Sequence, residues 1–521
     1  MAGVVIPLSA VRTRRDWGIG QVTDLPVCAQ WVRTAGQRLL QILPAHELAE
    51  GETSPYGALT AFGLDPIYTD VEAVEDLDAS ARAAILGEAG ARELERLRGR
   101  DRVEYSAVRA LKARVLRAAF ERFREREWSR DTVRARKLAD FIRSERDWLD
   151  DLALYGALRR AHGGWGWQTW AEGERDRTTG AIARVRSEQA DALLETAYVA
   201  WTIEGQWRAA RDQMRQLGVE LMGDLPFIVC AESADVWAHA SQFELGLSLG
   251  APPDDYSADG QDWGLPAYDW LAMEVDRLAW LRARVRRAAV LYDRFRMDHV
   301  VGYFRQWVRR PGGADRGRFD PEGEDLQRTR GRRVLGALLA EVEHSPVGVD
   351  PPRAIAEDLG VIPPFVRDTL RERGVPGYRV LPWEKDAAGF RDPRAFPRES
   401  VASWSTHDTA PIDAWWSDLP EGDRVALARR AGLTTEVAGA PGIDGRRSLA
   451  LLRDLYGASS DLALILAQEL IGVGERINTP GTVGPQNWTW RLPRPIEDLS
   501  ADASLAARLA AVRALVTAAG R

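Results

Sequence analysis

The chain has 521 residues, of which 45% are hydrophobic and 28% are charged, and its formal net charge is −7. This balance is typical of globular proteins and excludes a disordered or fibrous class. The mildly acidic charge also gives no support to a nucleic acid or an anionic membrane surface as a partner.

Short apolar or β-branched segments recur between longer helix-like stretches, a pattern typical of parallel α/β structure. The predicted strands are residues 4–8, 39–43, 219–222, 291–297, 353–356, 378–381 and 400–404, with a weaker candidate at 476–478. Seven or eight strands suit a closed (β/α)8 TIM barrel. A doubly wound sheet is the alternative, but no GxGxxG sequence follows the first strand.

Residues 71–200 interrupt this alternation. They are rich in Ala, Arg, Glu and Leu, with apolar residues at three- and four-residue spacing, which predicts an insertion of amphipathic helices. No Pro/Gly/Ser-rich linker divides the chain, so residues 1–521 are predicted to form a single catalytic unit, a barrel with inserted, largely helical subdomains. A closing helix is predicted after Pro493, and no separate carbohydrate-binding domain is expected.

The cysteines and the apolar segments indicate the compartment. Cys28 and Cys230 show no CxxC or Cys/His ligand spacing, which argues against a disulfide framework and a structural zinc site and favours the cytoplasm. No signal peptide is expected, because no basic residues precede the first apolar run. Residues 462–474 are interrupted by Gln468 and Glu469 and fall short of the ~20 residues that span a bilayer, so no membrane segment is expected.

Carboxylates or histidines stand at the ends of four predicted strands. They are Asp224, Asp298 with His299, Glu357 with Asp358, and His407 with Asp408. In a barrel the carboxyl ends of the strands converge on one mouth, so these residues can meet in space. Convergent carboxylates either bind a divalent metal or divide into a protonated acid and an ionised nucleophile for glycoside chemistry. The metal alternative is weaker, because the chain has no EF-hand pattern and no His-x-x-x-His pair.

A serine motif offers a competing nucleophile. GLSLG at 246–250 matches the G-x-S-x-G elbow of α/β-hydrolases, and Asp298 and His407 follow in the required order. An elbow needs a helix directly after the serine, whereas Pro252 and Pro253 follow here and cannot open a regular helix. Ser248 is therefore predicted to be a loop residue, and an esterase is the remote alternative.

Taken together, ten short motifs resemble those of the amylomaltases, the 4-α-glucanotransferases of the α-amylase superfamily. They are DWGIG (16–20), SPY (54–56), GDLP (223–226), PPD (252–254), GQDWG (260–264), RMDH (296–299), EDLG (357–360), HD (407–408), NTPG (478–481) and NW (487–488). Each motif alone is weak, but together they span nearly the whole chain.

The resemblance implies a TIM barrel and assigns Asp298 as the nucleophile, Glu357 as the general acid/base and Asp408 as the third carboxylate. These residue types agree with retaining chemistry, which needs one ionised and one protonated carboxyl group. Arg296 is expected to favour the ionised form of Asp298, while a less polar pocket is expected to raise the pKa of Glu357.

The resemblance also implies sugar-binding roles for a further set of residues, and an indole such as that of Trp263 suits stacking on a sugar ring. These residues are Tyr56, Asp224, Asp254, Gln261, Trp263, Arg296, His299, His407 and Asn478. A substrate-covering loop region is expected at residues 228–275, which would shield a covalent intermediate from water. No cofactor or metal is expected.

The sequence thus predicts a cytoplasmic retaining transglycosylase that transfers α-1,4-glucan segments between glucans or maltooligosaccharides. A retaining α-glucan hydrolase is the nearest alternative, since both reactions begin with the same glycosyl-enzyme. A catalytically silent glucan-binding protein is a second alternative. Solvent-facing aromatic side chains within residues 71–200 would indicate an additional glucan site.

Overall fold

A computed structural model describes residues 1–253, 260–311, 316–343, 353–387, 389–433, 442 and 444–521. Its centre is a closed barrel of eight parallel strands in the order β1-β14-β13-β10-β9-β6-β3-β2. These strands are β1 (Ala2–Val5), β2 (Leu39–Gln41), β3 (Glu220–Leu225), β6 (Arg294–Met297), β9 (Arg353–Ala356), β10 (Gly377–Val380), β13 (Ser400–Ser403) and β14 (Leu462–Leu466). The predicted (β/α)8 barrel is confirmed.

The barrel interior is filled by apolar side chains from alternate positions of its strands. A separate buried cluster includes Val5, Leu39, Met222, Ile355, Val401 and Leu464. The apolar side chains on the outer faces, such as Val4, Leu40 and Ile465, belong instead to the larger core beneath the surrounding helices. Strands buried on both faces read as continuous apolar runs, which is why the sequence pattern located most of them.

The last strand is not where the sequence indicated. Residues 476–478 have no regular secondary structure, and the eighth strand is β14, which pairs in parallel with β1 and β13. All five residues of β14 are buried. The prediction failed because the apolar stretch 462–474 was considered only as a membrane segment.

A second sheet lies outside the barrel. It is antiparallel, in the order β5-β4-β7-β8, with β4 at Phe243–Ala251, β5 at Gln261–Tyr268, β7 at Gln306–Arg309 and β8 at Arg318–Asp320. Residues 228–275 are therefore mostly regular structure rather than the predicted loop. Ser248 lies within β4, not in a loop, and its hydroxyl donates to Asp262. No helix follows Ser248 directly, so the nucleophile-elbow geometry is not formed.

Helices surround the barrel and fill the stretch between β2 and β3. They are α1 (Leu25–Thr34), α2 (Ala79–Arg98), α3 (Tyr105–Arg126), α4 (Val133–Ser144), α5 (Arg146–Ala161), α6 (Glu172–Arg175), α7 (Thr179–Glu188), α8 (Ala190–Gln216), α9 (Ala234–Ala238), α10 (Trp270–Val275), α11 (Ala279–Leu291), α12 (Glu324–Glu343), α13 (Pro364–Glu372), α14 (Ile412–Asp418), α15 (Glu421–Arg430), α16 (Gly445–Tyr456), α17 (Ala467–Ile471), α18 (Ile496–Ala501) and α19 (Ala503–Ala518). A two-stranded hairpin, β11 (Lys385–Asp386) and β12 (Gly389–Phe390), completes the fold.

Two helices, α18 and α19, follow Pro493, where one closing helix was predicted. The division of the chain into one catalytic unit with an insertion at 71–200 stays a prediction. Among the described residues, each helix is too short or too polar to cross a membrane.

Candidate active site

A cavity of about 1020 Å³ opens at the mouth of the barrel, where the strands end. Ten of the residues predicted from the sequence line it: Tyr56, Gln261, Trp263, Arg296, Asp298, His299, Glu357, His407, Asp408 and Asn478. Asp298 and Glu357 directly follow β6 and β9, and Asp408 lies a few residues beyond β13. The strand-end argument therefore located the residues that the barrel brings together.

Two predicted residues are not among those that line the described cavity. Asp224, at the end of β3, is fully buried and is not part of the described cavity lining. Its carboxylate instead accepts hydrogen bonds from the Tyr56 hydroxyl at 2.8 Å and from Arg296 Nη1 at 2.8 and 2.9 Å. Asp224 thus holds two cavity residues from behind. Asp254 lies outside the described residues.

The Arg296 guanidinium is the centre of the charge arrangement. Its Nη1 atom lies 2.8 Å from Asp298 Oδ1, and its Nη2 atom lies 3.8 Å from Glu357 Oε2. Burial alone would lower the pKa of Arg296. The facing carboxylates outweigh burial and raise this pKa well above its usual value, so the side chain stays charged. One buried cation therefore lies between Asp298 and Glu357.

Glu357 is held in a fixed orientation by backbone donors. The amide of His299 donates to Oε2 at 2.8 Å, and the amide of Leu359 donates to Oε1 at 2.9 Å. The first of these bonds requires an unusual backbone, because His299 adopts a left-handed conformation with φ 45° directly after β6.

Burial sets the protonation state of Glu357. It raises the pKa of this carboxyl to about 7, and the charge of Asp298 adds to the rise, while Arg296 and the two backbone donors oppose it. Near neutral pH a large fraction of Glu357 therefore carries a proton, as a general acid requires.

Asp408 has the opposite electrostatic environment. Its Oδ2 atom lies 3.2 Å from His407 Nε2, and Asn478 Nδ2 donates to Oδ1 at 2.7 Å. Burial would raise the pKa of Asp408, but His407, Asn478 and Arg296 outweigh burial and bring it well below the usual range. Burial would also lower the pKa of His407, yet Asp408 raises it. The two side chains therefore stabilise each other's charged forms at the cavity wall.

The segment that carries His407 and Asp408 is fixed by a buried glutamate after β14. Glu469 accepts hydrogen bonds from the amides of Ile412, at 3.1 Å, and Leu466, at 2.9 Å, and from the Ser405 hydroxyl. The segment therefore begins and ends against the same carboxyl group, which holds Asp408 at the mouth of the barrel.

Aromatic rings form the other walls. Trp263, on β5, packs edge-on against His299 with 4.9 Å between ring centroids, and its Nε1 donates to Gln261 Oε1 at 3.0 Å. Burial lowers the pKa of His299 to about 4, so this ring is neutral at physiological pH. The Tyr56 ring stacks on His407 at 5.5 Å. These rings offer apolar faces beside the carboxylates, a combination suited to sugars.

Sequence comparisons agree with this geometry. A sequence profile of the 4-alpha-glucanotransferase family matches residues 6–497. A 4-alpha-glucanotransferase of Chlamydia muridarum is 30% identical over 525 residues, which cover 98% of this chain and 94% of that protein. One of Thermus thermophilus is 31% identical over 486 residues, covering 89% of each chain. The chain belongs to the 4-alpha-glucanotransferase family.

Solved structures show that this 4-alpha-glucanotransferase family member shares its fold with amylomaltases. The amylomaltase of Streptococcus agalactiae in complex with acarbose matches with a TM-score of 0.81 and 23% identity, covering 100% of this chain and 99% of that structure. The amylomaltase of Corynebacterium glutamicum matches with a TM-score of 0.80 and 24% identity, covering 98% of this chain and 75% of that structure.

Sequence reasoning assigned no site role to three aromatic residues in the lining of this family member's cavity, Phe227, Trp383 and Trp488, although Trp488 was noted within the NW motif. Trp383 follows β10 and has 47% of its surface exposed. It was missed because only carboxylates and histidines were sought after the strands, and the same rule extended to aromatic residues would have found it. Trp488 packs against Tyr56 and His407 and has a φ of 64°. The sequence carries no sign of that conformation.

Across the described residues, groups of three or more His, Cys, Asp or Glu side chains able to hold a metal ion do not occur.

Proposed function

We propose that this member of the 4-alpha-glucanotransferase family transfers segments of α-1,4-glucan between glucan or maltooligosaccharide donors and acceptors, with retention of configuration. The observation that carries the proposal is the pairing of Asp298 and Glu357 across one buried guanidinium, in a cavity that also contains Asp408. Retaining glycoside chemistry needs two carboxyl groups with different protonation states side by side.

In the first half-reaction, a carboxylate oxygen of Asp298 attacks the anomeric carbon of the donor. The bond from that carbon to the glycosidic oxygen breaks, and Glu357 donates its proton to the departing oxygen. The shortened glucan leaves with a free 4-hydroxyl group. Arg296 orients both carboxyl groups, since its two Nη atoms face one each.

In the second half-reaction, the 4-hydroxyl oxygen of an acceptor glucan attacks the same carbon. Glu357, now ionised, accepts the hydroxyl proton, and the ester bond to Asp298 breaks. Two inversions give net retention. Each proton taken up is released within the cycle, so the scheme requires no cofactor.

The remaining cavity residues are proposed to bind sugar. Asp408 is ionised and accepts hydrogen bonds from sugar hydroxyls, while Asn478 and His407 hold it in place and offer donors of their own. Tyr56 and Trp263 present ring faces, and Gln261 and His299 lie against Trp263. The predicted role of Asp254 stays a proposal from the resemblance, and Asp224 is proposed to act through Tyr56 and Arg296.

Transfer rather than hydrolysis depends on what attacks the glycosyl-enzyme. The antiparallel sheet places Trp263 and Leu265 of β5 in the cavity lining, where they reduce the access of water to the intermediate. A hydrolase or a silent glucan-binding protein would share the cavity but not the products. We also propose a cytoplasmic location, supported by Cys28 and Cys230, which are both unpaired.

The test is incubation of the purified protein with maltotriose alone, with separation of the products by chromatography. Asp298→Asn and Glu357→Gln variants are run in parallel. Glucose together with a ladder of longer maltooligosaccharides, lost in both variants, is the expected result. Shorter sugars alone would show a hydrolase, and sugar binding without turnover would show a silent binding protein. Full activity in Asp298→Asn would contradict the assignment of Asp298 as the nucleophile.

A further inference from the structure

The helical stretch 71–200 exposes one aromatic side chain. Trp165 has 71% of its surface exposed, whereas the other aromatic side chains of this stretch are buried or, at Trp128, half-buried. A tryptophan carries a large apolar surface, and its exposure at this level marks a place where a ligand can gain contact area. Trp165 plays no part in the catalytic cavity described above.

Trp165 is attached to the edge of that cavity. Two residues along the chain, Trp167 donates from its amide to Glu232 Oε2 at 3.1 Å and from Nε1 to the carbonyl of Ala231 at 2.9 Å. Cys230, which directly precedes Ala231 in the chain, lines the catalytic cavity. The exposed indole therefore stands on a segment fastened to the cavity wall.

The backbone around Trp165 holds it in place while leaving the indole open. Its carbonyl accepts a hydrogen bond of 3.0 Å from Trp170 Nε1, and its amide donates to the carbonyl of His162 at 3.3 Å. The two preceding residues are Gly163 and Gly164, with φ of 63° and 87°, a conformation that other residues rarely adopt. The indole has no neighbouring side chain at these two positions.

Charged groups contact the backbone on either side of Trp165. The Glu232 carboxylate packs against Gly166, close enough that a Cβ atom there would lie 2.5 Å from its Oε2. Arg159, in α5, donates from Nε to the carbonyl of Gly164 at 3.5 Å. Its positive charge also acts on Cys230, where burial raises the pKa of the thiol to about 12 and Arg159 opposes the rise.

An exposed indole on a segment flanked by a carboxylate and a guanidinium is a combination suited to pyranose rings. The C–H faces of the sugar pack on the aromatic ring, and its hydroxyls form charge-assisted hydrogen bonds. We propose that Trp165 forms an outlying subsite, on which a glucose unit of a long α-glucan stacks after the chain leaves the catalytic cavity past Cys230. This inference rests on the proposed function and adds to it a structural basis for preferring long chains.

The test compares a long and a short substrate in a Trp165→Ala variant. The KM for transfer from soluble amylose to glucose is expected to rise about 3- to 10-fold, because the variant loses the stacking contact with one sugar ring. Kinetic constants with maltotriose are expected to stay unchanged, because Trp165 is not part of the lining of the catalytic cavity that holds this short substrate. Trp165→Phe should retain most of the affinity for amylose. Leu271→Ala, which truncates a side chain that is 76% exposed on α10, is the control and should leave both substrates unaffected.

The outcomes separate the subsite from the proposed function. Unchanged amylose kinetics in Trp165→Ala, or equal losses on both substrates, would overturn the subsite while leaving the transferase intact. Affinity electrophoresis in native gels that contain amylose gives a second readout without turnover. If the wild-type protein is inactive, the proposed function fails, but weaker retardation of Trp165→Ala than of Leu271→Ala would still support the subsite. Equal retardation of both variants would overturn it.

Discussion

At the scale of single residues, the site depends on one buried cation shared among several carboxylates. Arg296 contacts Asp224 and Asp298 through Nη1 and approaches Glu357 through Nη2. A planar guanidinium can face several partners at fixed angles, whereas the ammonium group of lysine is a single point of charge. Arg296 therefore fixes geometry as well as charge.

Replacement of Arg296 by lysine is expected to lower kcat at least about 100-fold, comparable to the loss of one preorganised donor in other active sites. The reason is that lysine cannot hold Asp298 and Glu357 at once. Initial rates of glucose release from maltotriose measure the effect.

The matched control is Arg294→Lys in the same strand, where the guanidinium binds Glu220 away from the cavity. It is expected to stay within about twofold of wild-type activity, as substitutions outside the site usually do. Equal losses in the two variants would contradict a specific role for Arg296.

The raised pKa of Glu357 predicts the pH dependence of activity. Because Glu357 must be protonated to release the first product, kcat/KM for maltotriose is expected to fall above about pH 7. A maltosyl fluoride donor releases fluoride, which leaves without a proton. The rate of fluoride release should therefore not fall above this pH. The same fall with both donors would show that another group controls the rate.

The same shift predicts how stability depends on pH. A carboxyl group whose folded pKa is raised binds its proton more tightly in the folded state, so its contribution is present at low pH. That contribution is lost as the pH rises from about 4.5 to about 7. The free energy of unfolding of Glu357→Gln, taken relative to that of the wild type, is therefore expected to be higher at pH 8 than at pH 5. Urea unfolding at the two pH values measures it.

At the scale of elements, the antiparallel sheet supplies side chains to the cavity at the mouth of the barrel. Strand β5 contributes Gln261 and Trp263 to the cavity, while β7 and β8 extend the sheet away from it. Side chains from a sheet are placed more firmly than side chains from an irregular loop, because the backbone hydrogen bonds of β4 and β5 fix their register.

Truncation of Trp263 to alanine is expected to raise the ratio of hydrolysis to transfer on the order of tenfold, equivalent to about 1.4 kcal/mol between the competing barriers. The indole covers the wall beside His299, and its removal admits water to the glycosyl-enzyme. The ratio of hydrolysis to transfer is measured by comparing the release of new reducing ends with the formation of longer oligosaccharides.

Trp307→Ala, on β7 of the same sheet, is the control. Trp307 packs against Phe319 and is not part of the described cavity lining, so its ratio should stay at the wild-type value. An unchanged ratio in Trp263→Ala would assign the exclusion of water to another part of the molecule.

Elements also show where sequence reasoning succeeded and failed. The strands before Asp298, Glu357 and Asp408 were found because each is a short segment with apolar residues that a carboxylate or histidine follows. Strand β14 was missed because no catalytic residue follows it directly and its five residues are all apolar. Pairing in β4 and β5 is a long-range property, so local sequence gave no indication that Ser248 lies in a strand.

At the scale of the whole molecule, distant parts of the chain meet at a buried ion pair. Arg491 Nη2 lies 2.8 Å from Asp16 Oδ1, and both side chains are almost completely buried. Arg491 also donates to the carbonyls of Leu97 and Arg100 at the end of α2. The pair therefore joins the start of the barrel, the helical stretch and the last segment before α18.

Arg491→Met is expected to destabilise the protein by about 3–5 kcal/mol, because it leaves the Asp16 carboxylate buried without its partner. The double variant Asp16→Asn with Arg491→Met should recover part of that loss. Urea unfolding provides the measurement.

The exposed pair of Arg14 and Asp498 is the control, with side chains that are 67% and 39% exposed. Arg14→Ala should cost less than about 1 kcal/mol, as for surface ion pairs in general. An equally small effect of Arg491→Met would contradict the bridging role. The DWGIG motif containing Asp16 was noted in the sequence, but its partner could not be, since the two residues lie at opposite ends of the chain.

In the proposed mechanism, the charge of Asp298 controls the protonation state of Glu357 during the catalytic cycle. The charge of Asp298 helps to keep a proton on Glu357. In the proposed mechanism Asp298 becomes an ester and loses that charge, while the positive charge of Arg296 remains, so the affinity of Glu357 for a proton falls. The same carboxyl group is thus an acid while the donor bond is intact and a base once it is broken. The switch needs no movement of the backbone, because it is driven by the covalent state of its neighbour.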